Sequence, residues 1–431
     1  MMSRMHWQRL REIGSTGGSL LSPSACPMTP SVPILASPNR IAPALLLIAV
    51  AHSLNDLFQA VLPSLYPMLQ TRFQLSYSQL GLITLMFHLI GSLCQPVVGW
   101  YTDHRPSPKL LPWAMVCMIV AMTLLAFADG FADFLLVAVA VGLGSSIFHP
   151  EGSRAARAVS GGRPGLAQSV FQLGGNVGSA VAPLLLATLL IMPMRHMALC
   201  LAGLAVFGLF LLRNAVRINR SNIPSLRLSP SSFVTLSRGK KAKALLLLTL
   251  LLLSKYVYLA CVANFYTFFL IERFAVTIAQ AQILLSVFLL AITTGTLLGG
   301  PLVDRLGRRP VIALSILGAS PFALLLPHAS LAMAIGLSIV IGIVIASAFA
   351  AILLMAQNLL PARIGLVAGA FFGLTFGISG IAAAGLGVMA DHWGIVATFT
   401  TASYLPLLGV LALWLPDDAQ PKNRDVTSSA L

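Results

Sequence analysis

The residues best able to do chemistry are few, and they stand where charge is costly. Asp56 lies near the middle of an apolar stretch at residues 42–68. If that stretch crosses a bilayer, an ionised carboxylate at its centre costs about 2.5–3.5 kcal/mol, so Asp56 must be neutral, paired or in contact with water. His52, Asn55, Asp56 and Gln59 stand at i, i+3, i+4 and i+7 and form one polar stripe on an otherwise apolar helix. Such a stripe serves either proton exchange and ligand binding at a central cavity or a hydrogen-bonded seam between helices. Lys255 is the one Lys or Arg deep within a second stretch, 244–270. A cation in a weakly screening interior attracts an anionic group, either a substrate or a structural partner such as Asp56 or Glu151. Tyr258 and Tyr266 lie on the same broad helix face and would either offer hydroxyls or simply pack.

Gln168, Gln172 and Asn176 form another stripe at four-residue spacing, able to hydrogen-bond without the cost of charge. It either lines the site or makes a seam, the latter favoured by the neighbouring Gly174 and Gly178. His149, Glu151, Arg154 and Arg157 close a stretch at 133–157, where Pro150 removes a backbone donor and should bend the chain. Glu151 and Arg154, at i and i+3, can neutralise one another. The cluster reads either as a structural or gating network with Asp103 or as a route for protons through Glu151. Asp304 with Arg305, Arg308 and Arg309 reads as a conformational latch whose loss would bias states rather than specificity.

These groups need elements to position them. The chain has 431 residues, of which 57% are apolar and 9% charged, with a mean hydropathy of +0.89. So much apolar surface does not fit one water-soluble core. Spanning helices of about 20 residues account for it. Apolar runs bounded by charge or turn residues predict helices near 42–68, 79–101, 110–128, 133–157, 165–192 and 196–213. Six more follow near 244–270, 280–303, 310–328, 332–358, 365–390 and 395–415. The expected organisation is a disordered cytoplasmic tail (1–40), a six-helix half (41–213), a basic cytoplasmic linker (214–243), a second six-helix half (244–416) and a cytoplasmic tail (417–431). Met28 offers an alternative start.

With the N-terminus inside, cytoplasmic segments collect 23 of the 27 Lys and Arg residues, which predicts both termini in the cytoplasm. The net charge of +15 is then a topology signal and not a nucleic-acid footprint. The Lys/Arg cluster at 238–243 could also touch anionic lipid. Five scattered cysteines show no Cys-x-x-Cys pair, and no metal or cofactor is expected. Neither a His-Glu-x-x-His nor a Gly-x-Ser-x-Gly pattern is present, which argues against an enzyme. No nucleotide-phosphate loop occurs either, so a gradient must supply energy for transport.

A repeat supports the division into halves. Gly99 and Asp103 recur as Gly300 and Asp304 at an offset of 201, and Gly174-x-x-x-Gly178 recurs as Gly373-x-x-x-Gly377 at an offset of 199. Two repeated six-helix units suggest alternating access around a cavity between them, which disfavours a passive channel or a receptor.

Gly300-Pro-Leu-Val-Asp304-Arg305-Leu-Gly307-Arg308-Arg309 resembles the loop signature of the major facilitator superfamily, between the second and third helices of a half. The first-half copy keeps Gly99, Asp103, Arg105 and Lys109 but lacks the second Gly. Residues 45–417 further resemble the fosmidomycin resistance proteins, bacterial inner-membrane drug exporters of this superfamily. The matching segments are His52-Ser-Leu-Asn55-Asp56, Gln95-Pro-Val-Val-Gly99, Ser145-Ser-Ile-Phe-His149-Pro150-Glu151, Gly165 to Asn176, Ser254-Lys255-Tyr256 and Leu360 to Gly365. The Gly- and Pro-rich motif of antiporters is partial, with Ala182 at a Gly position, and no Arg stands at 137–140.

The resemblance implies a major facilitator fold and drug export driven by proton entry, with phosphonates of the fosmidomycin type as substrates. Lys255 would hold the phosphonate, with His52, Asn55, Gln59, Gln172, Asn176 and Tyr258 beside it. Asp56 and Glu151 would couple protons, and Asp103, Arg154, Asp304, Arg305, Arg308 and Arg309 would gate. The expected partners are the small-molecule drug, protons and the lipid bilayer, with the chain acting as a monomer. Import of small organic anions is the alternative, since Lys255 suits carboxylates equally.

Overall fold

The structure is a computed structural model that describes residues 43–105, 107, 109–160, 164–218, 237–360 and 364–416. The expected tails and residues 219–236 of the basic linker lie outside the described residues. The first half is six uninterrupted helices: α1 (Pro43–Phe73), α2 (Tyr77–His104), α3 (Leu110–Ala126), α4 (Phe131–Ala158), α5 (Pro164–Leu189) and α6 (Met194–Ile218). The second half begins with α7 (Arg238–Phe274) and α8 (Ile278–Leu306), and helical residues thus extend into the basic interval from both sides. It continues with α9 (Arg308–Ile316), α10 (Ser320–Leu325) with a 3₁₀ turn at Leu326–His328, α11 (Leu331–Ala346) and α12 (Ala348–Leu359). It ends with α13 (Ile364–Trp393), α14 (Ile395–Ala402) and a 3₁₀ stretch at Leu405–Trp414. Taken across their short breaks, these form twelve helical segments, of which eleven are long and apolar enough to cross a membrane. The twelfth, α3, is apolar but has 17 residues.

The local sequence explains the ends. Ser76 caps α2 in a capping box with Gln79, and Thr277 caps α8 in the same way with Gln280. The turns before them pass through left-handed residues, Gln74 and Ala275. Each pair sits 201 residues apart, the same offset as Gly99 and Gly300. α1 runs past Pro63 and Pro67 to Phe73, beyond the expected end at 68. Without water to compete for the backbone, a Pro-bearing helix persists where it would break in solution.

The second half is broken where the sequence predicts continuous spans. Between α11 and α12, the Ser315 hydroxyl accepts from the Ala348 amide at 3.1 Å and donates to the carbonyls of Val344 and Ile345 at 2.7 and 3.0 Å. One side chain thus satisfies the backbone groups the break releases.

The glycine repeat does different work in the two halves. Gly174 and Gly178 let α5 lie on the α1 backbone at Ala49 and Ser53, where any Cβ would collide with a carbonyl. Their counterparts Gly373 and Gly377 face open space. Close approach in the second half instead uses Gly295 and Gly299 of α8 against Ile343 and Ser347.

The halves join along α2 with α13 and along α5 with α8. Asp391 of α13 accepts from the backbone amides of Tyr77 and Ser78 at 2.8 and 2.9 Å, so it caps the neighbouring helix. Gly387 then meets Tyr77, Gly81 meets Ala383, and Gly380 meets Leu85 and His88. Tyr66 donates to Thr84, which donates to Asn264 across the halves, both at 2.6 Å. Gln282 and Ser286 of α8 donate to the carbonyls of Ser64 and Ala180 at 2.5 Å. This zipper ends where Phe376 meets His88, ring centroids 5.5 Å apart. Past that point, Gly91 and Gly99 on α2 and Gly373 on α13 have no neighbour within reach of a Cβ. These contacts between α2 and α13 thus run from Asp391 to Phe376.

Candidate functional site

The site is built on α1, α4 and α5. The His52 ring is stacked on Phe171 at 3.9 Å and on Phe148 at 5.3 Å, and its Nδ1 lies 2.7 Å from the Phe171 carbonyl. A carbonyl only accepts, so Nδ1 carries the proton and Nε2 faces Asp56 Oδ2 at 3.4 Å. His149 repeats the arrangement from α4, with Nδ1 2.9 Å from the Ser145 carbonyl and Nε2 3.6 Å from Asp56 Oδ1. Asn55 and Gln59 donate to the same Oδ1 at 3.0 and 2.8 Å, and Ser145 steadies Gln59 by donating to its Oε1 at 3.1 Å. α5 passes this cluster because position 175 is Gly; a Cβ there would stand 2.5 Å from Asp56 Oδ2.

The chemistry follows from the fixed tautomers. Were both imidazoles neutral and Asp56 ionised, two lone pairs would point at a carboxylate. At least one shared proton removes that conflict, so the trio is a built acceptor for protons. The ligand atoms of His52, Asp56 and His149 lie within 4.8 Å of one another, close enough to share one small cation.

Lys255 on α7 is 2% exposed. Its Nζ lies 5.5 Å from the Tyr256 ring centroid, and it forms no ion pair or hydrogen bond with another described residue. Neither structural partner considered for it takes that place: Asp56 is engaged by the two histidines, and Glu151 by Arg154. One turn along, Tyr258 is fully buried and its hydroxyl has no partner. Tyr266 instead bonds Ser338 at 2.5 Å. On α5, Gln168 accepts from Ser153 at 2.9 Å, while Gln172 and Asn176 are half-buried.

The expected gating residues divide into two groups. Arg154 reaches Glu151 at 3.7 Å and donates to the Thr102 carbonyl at 2.7 Å, tying α4 to the end of α2. The Asp103 side chain lies outside the described residues. Asp304 and Arg305 are exposed, whereas Arg309 donates to the Leu413 carbonyl at 2.5 Å and Arg308 to the Asn358 oxygen. These last contacts lie within the second half. The sharp turn ahead of them rests on Gly307, whose φ of 86° favours a residue without a side chain.

Three participants are invisible to sequence spacing. His149 belongs by sequence to the end of α4, yet its ring reaches Asp56. His88 and Phe376 lie in apolar runs and meet only through the α2–α13 contact. Asp391 gave one faint signal: an acid in the last turn of a helix opposes that helix's own dipole and needs a donor elsewhere.

A family model described as Major Facilitator Superfamily matches residues 48–274 and 260–430. The chain belongs to the major facilitator superfamily. It is a multi-pass membrane transporter and not an enzyme. Among curated relatives, this transporter is 44% identical over 373 residues to the fosmidomycin resistance protein of Escherichia coli strain K12, covering 86% of this chain and 92% of that one. It is 39% identical over 385 residues to the uncharacterized MFS-type transporter YfnC of Bacillus subtilis strain 168, covering 88% and 94%. Among solved structures it resembles a bacterial homologue of the human lysosomal transporter Spinster in an inward-facing, occupied conformation, with a TM-score of 0.67, 16% identity, and 86% and 93% coverage. It also resembles a variant of the nucleoside transporter NupG, with a TM-score of 0.68, 14% identity, and 86% and 98% coverage. At these identities the structural likeness is one of fold.

Proposed function

We propose that this transporter exports small antimicrobial compounds of the fosmidomycin-like phosphonate type by exchanging drug for protons through alternating access. The observation that carries the coupling is the orientation of His52 and His149, both with Nδ1 committed to a carbonyl and Nε2 turned to Asp56. Asp56 is the proton carrier. Glu151, 4% exposed and facing Arg154 Nε at 3.7 Å, is a second carboxylate on which a proton can rest once that pair opens. Lys255 is a buried cation without a counter-ion among the described residues, and a phosphonate supplies one. Tyr258, His52, Asn55, Gln59, Gln172 and Asn176 are the further polar side chains assigned to the substrate, of which Tyr258, His52 and Asn55 are fully buried in the described structure. The 44% identity to a protein named for fosmidomycin resistance supports the substrate class.

The excess of basic residues on one side supports a bacterial inner-membrane location with both termini in the cytoplasm, and the chain acts as a monomer. On this orientation the Asp304 end is cytoplasmic. The test is fosmidomycin susceptibility of a drug-sensitive bacterium expressing the protein, with and without a protonophore. Resistance that collapses with the protonophore, and with Lys255→Ala at matched expression, is expected. A well-expressed wild type that confers no resistance overturns this reading and favours import of small organic anions.

A further inference from the structure

We infer that His149 and Phe376 form the joint through which proton occupancy at Asp56 controls the contact between the two halves. The inference deepens the proton-exchange reading and rests on it. His149 is the member of the trio that faces two ways. Its Nε2 looks back at Asp56 Oδ1, and its ring meets Phe376 of the second half edge-on, with centroids 5.8 Å apart and planes at 66°. Phe376 is also the last residue of the α2–α13 zipper, held on its other side by His88, whose ring packs on Phe87 at 4.5 Å. The proton site therefore touches the contact between the two halves directly, through His149 and Phe376.

Chemistry gives the joint a direction. With Nδ1 held by the Ser145 carbonyl, a proton passing between Asp56 and His149 can reside on the imidazole only at Nε2, and it then makes the ring a cation. An imidazolium held over the face of an aromatic ring is attracted by the ring quadrupole, and a neutral imidazole much less so. Proton uptake at His149 thus strengthens the Phe376 contact and holds the zipper closed; proton loss weakens it and frees the halves to rearrange. The titratable groups facing His149 are Asp56 and His52 from α1, with His88 from α2 behind Phe376. α3 carries only Cys117, α5 carries no titratable residue, and those of α13, Asp391 and His392, lie at its far end.

The experiment compares two measurements in proteoliposomes containing the full chain: fosmidomycin exchange without a pH gradient, and fosmidomycin uptake driven by an imposed gradient. Wild type is expected to gain about tenfold from the gradient, the scale of an ordinary coupling free energy. Phe376→Leu and Phe376→Met should keep exchange but lose most of that gain, Phe376→Tyr should restore it, and His149→Gln should lack it. Full stimulation in Phe376→Leu or Phe376→Met, or in His149→Gln, overturns the inference. Absence of stimulation in wild type instead defeats the proton-exchange reading beneath it. A general packing defect would lower exchange as well, which separates it from loss of coupling.

Discussion

In the first half, Asp56 accepts from two amides and faces two imidazoles, whereas in the second half Lys255 has a tyrosine face nearby and no counter-ion among the described residues. The two residues lie at nearly equivalent places in the repeat, since Asp56 corresponds to Tyr256 at an offset of 200. The proposed function gives them separate tasks. A carboxylate supplied with donors keeps its proton balance without a ligand. A buried cation without a partner is stabilised only when an anion arrives. The backbones differ in the same sense: the first half is six continuous helices, and the second is interrupted near 317–319, 347 and 403–404. On the proposed function, protons are handled by the half with continuous helices and the anion by the half with breaks in them.

The largest expected effect tests the packing side of this contrast. Gly178→Val should abolish recovery of folded protein, because its side chain meets the Ser53 backbone, at a cost of about 3 kcal/mol or more. Gly377→Val at the repeat position should leave recovery by size-exclusion chromatography unchanged. Next come the charges. Lys255→Ala should reduce transport by about tenfold to a hundredfold, the loss of one charge-assisted contact, while the melting temperature stays level or rises. Asp56→Ala should differ by also destabilising the protein by about 1–3 kcal/mol, since it strands the Asn55 and Gln59 amides. Third, Ser315→Ala should lower thermal stability by about 1–2 kcal/mol, because the Ala348 amide loses its acceptor at the α11–α12 break. The smallest effect is expected of Asp391→Asn, about 1 kcal/mol for a weakened helix cap, read as faster opening of the Asp391 end between spin labels.

Much of the fold could be read from the chain alone because hydrophobic length is a local property. The twelve segments, the division near the basic linker and the stripe from His52 to Gln59 all follow from spacing along one helix. The breaks in the second half do not, because the group that satisfies the one near Ser347 is Ser315, some thirty residues away. Part of the site is hidden for the same reason. His149 looks like a helix-end residue until α4 packs on α1, and Asp391 looks exposed until α13 meets the start of α2. Spacing left Asp56 on a polar stripe that either faces a cavity or forms a seam; the packing sets it among His52, Asn55, Gln59 and His149 of its own half, with 14% of its side chain exposed.

If Asp56 carries the proton exchanged for substrate, adding drug must move protons through the wild type and not through a variant without that carboxylate. Everted membrane vesicles, acid inside and loaded with a pH-sensitive dye, would receive fosmidomycin. Wild type should release protons from the lumen on addition of drug, and Asp56→Asn should release none while still binding fosmidomycin. Proton release by Asp56→Asn equal to that of wild type would contradict the account.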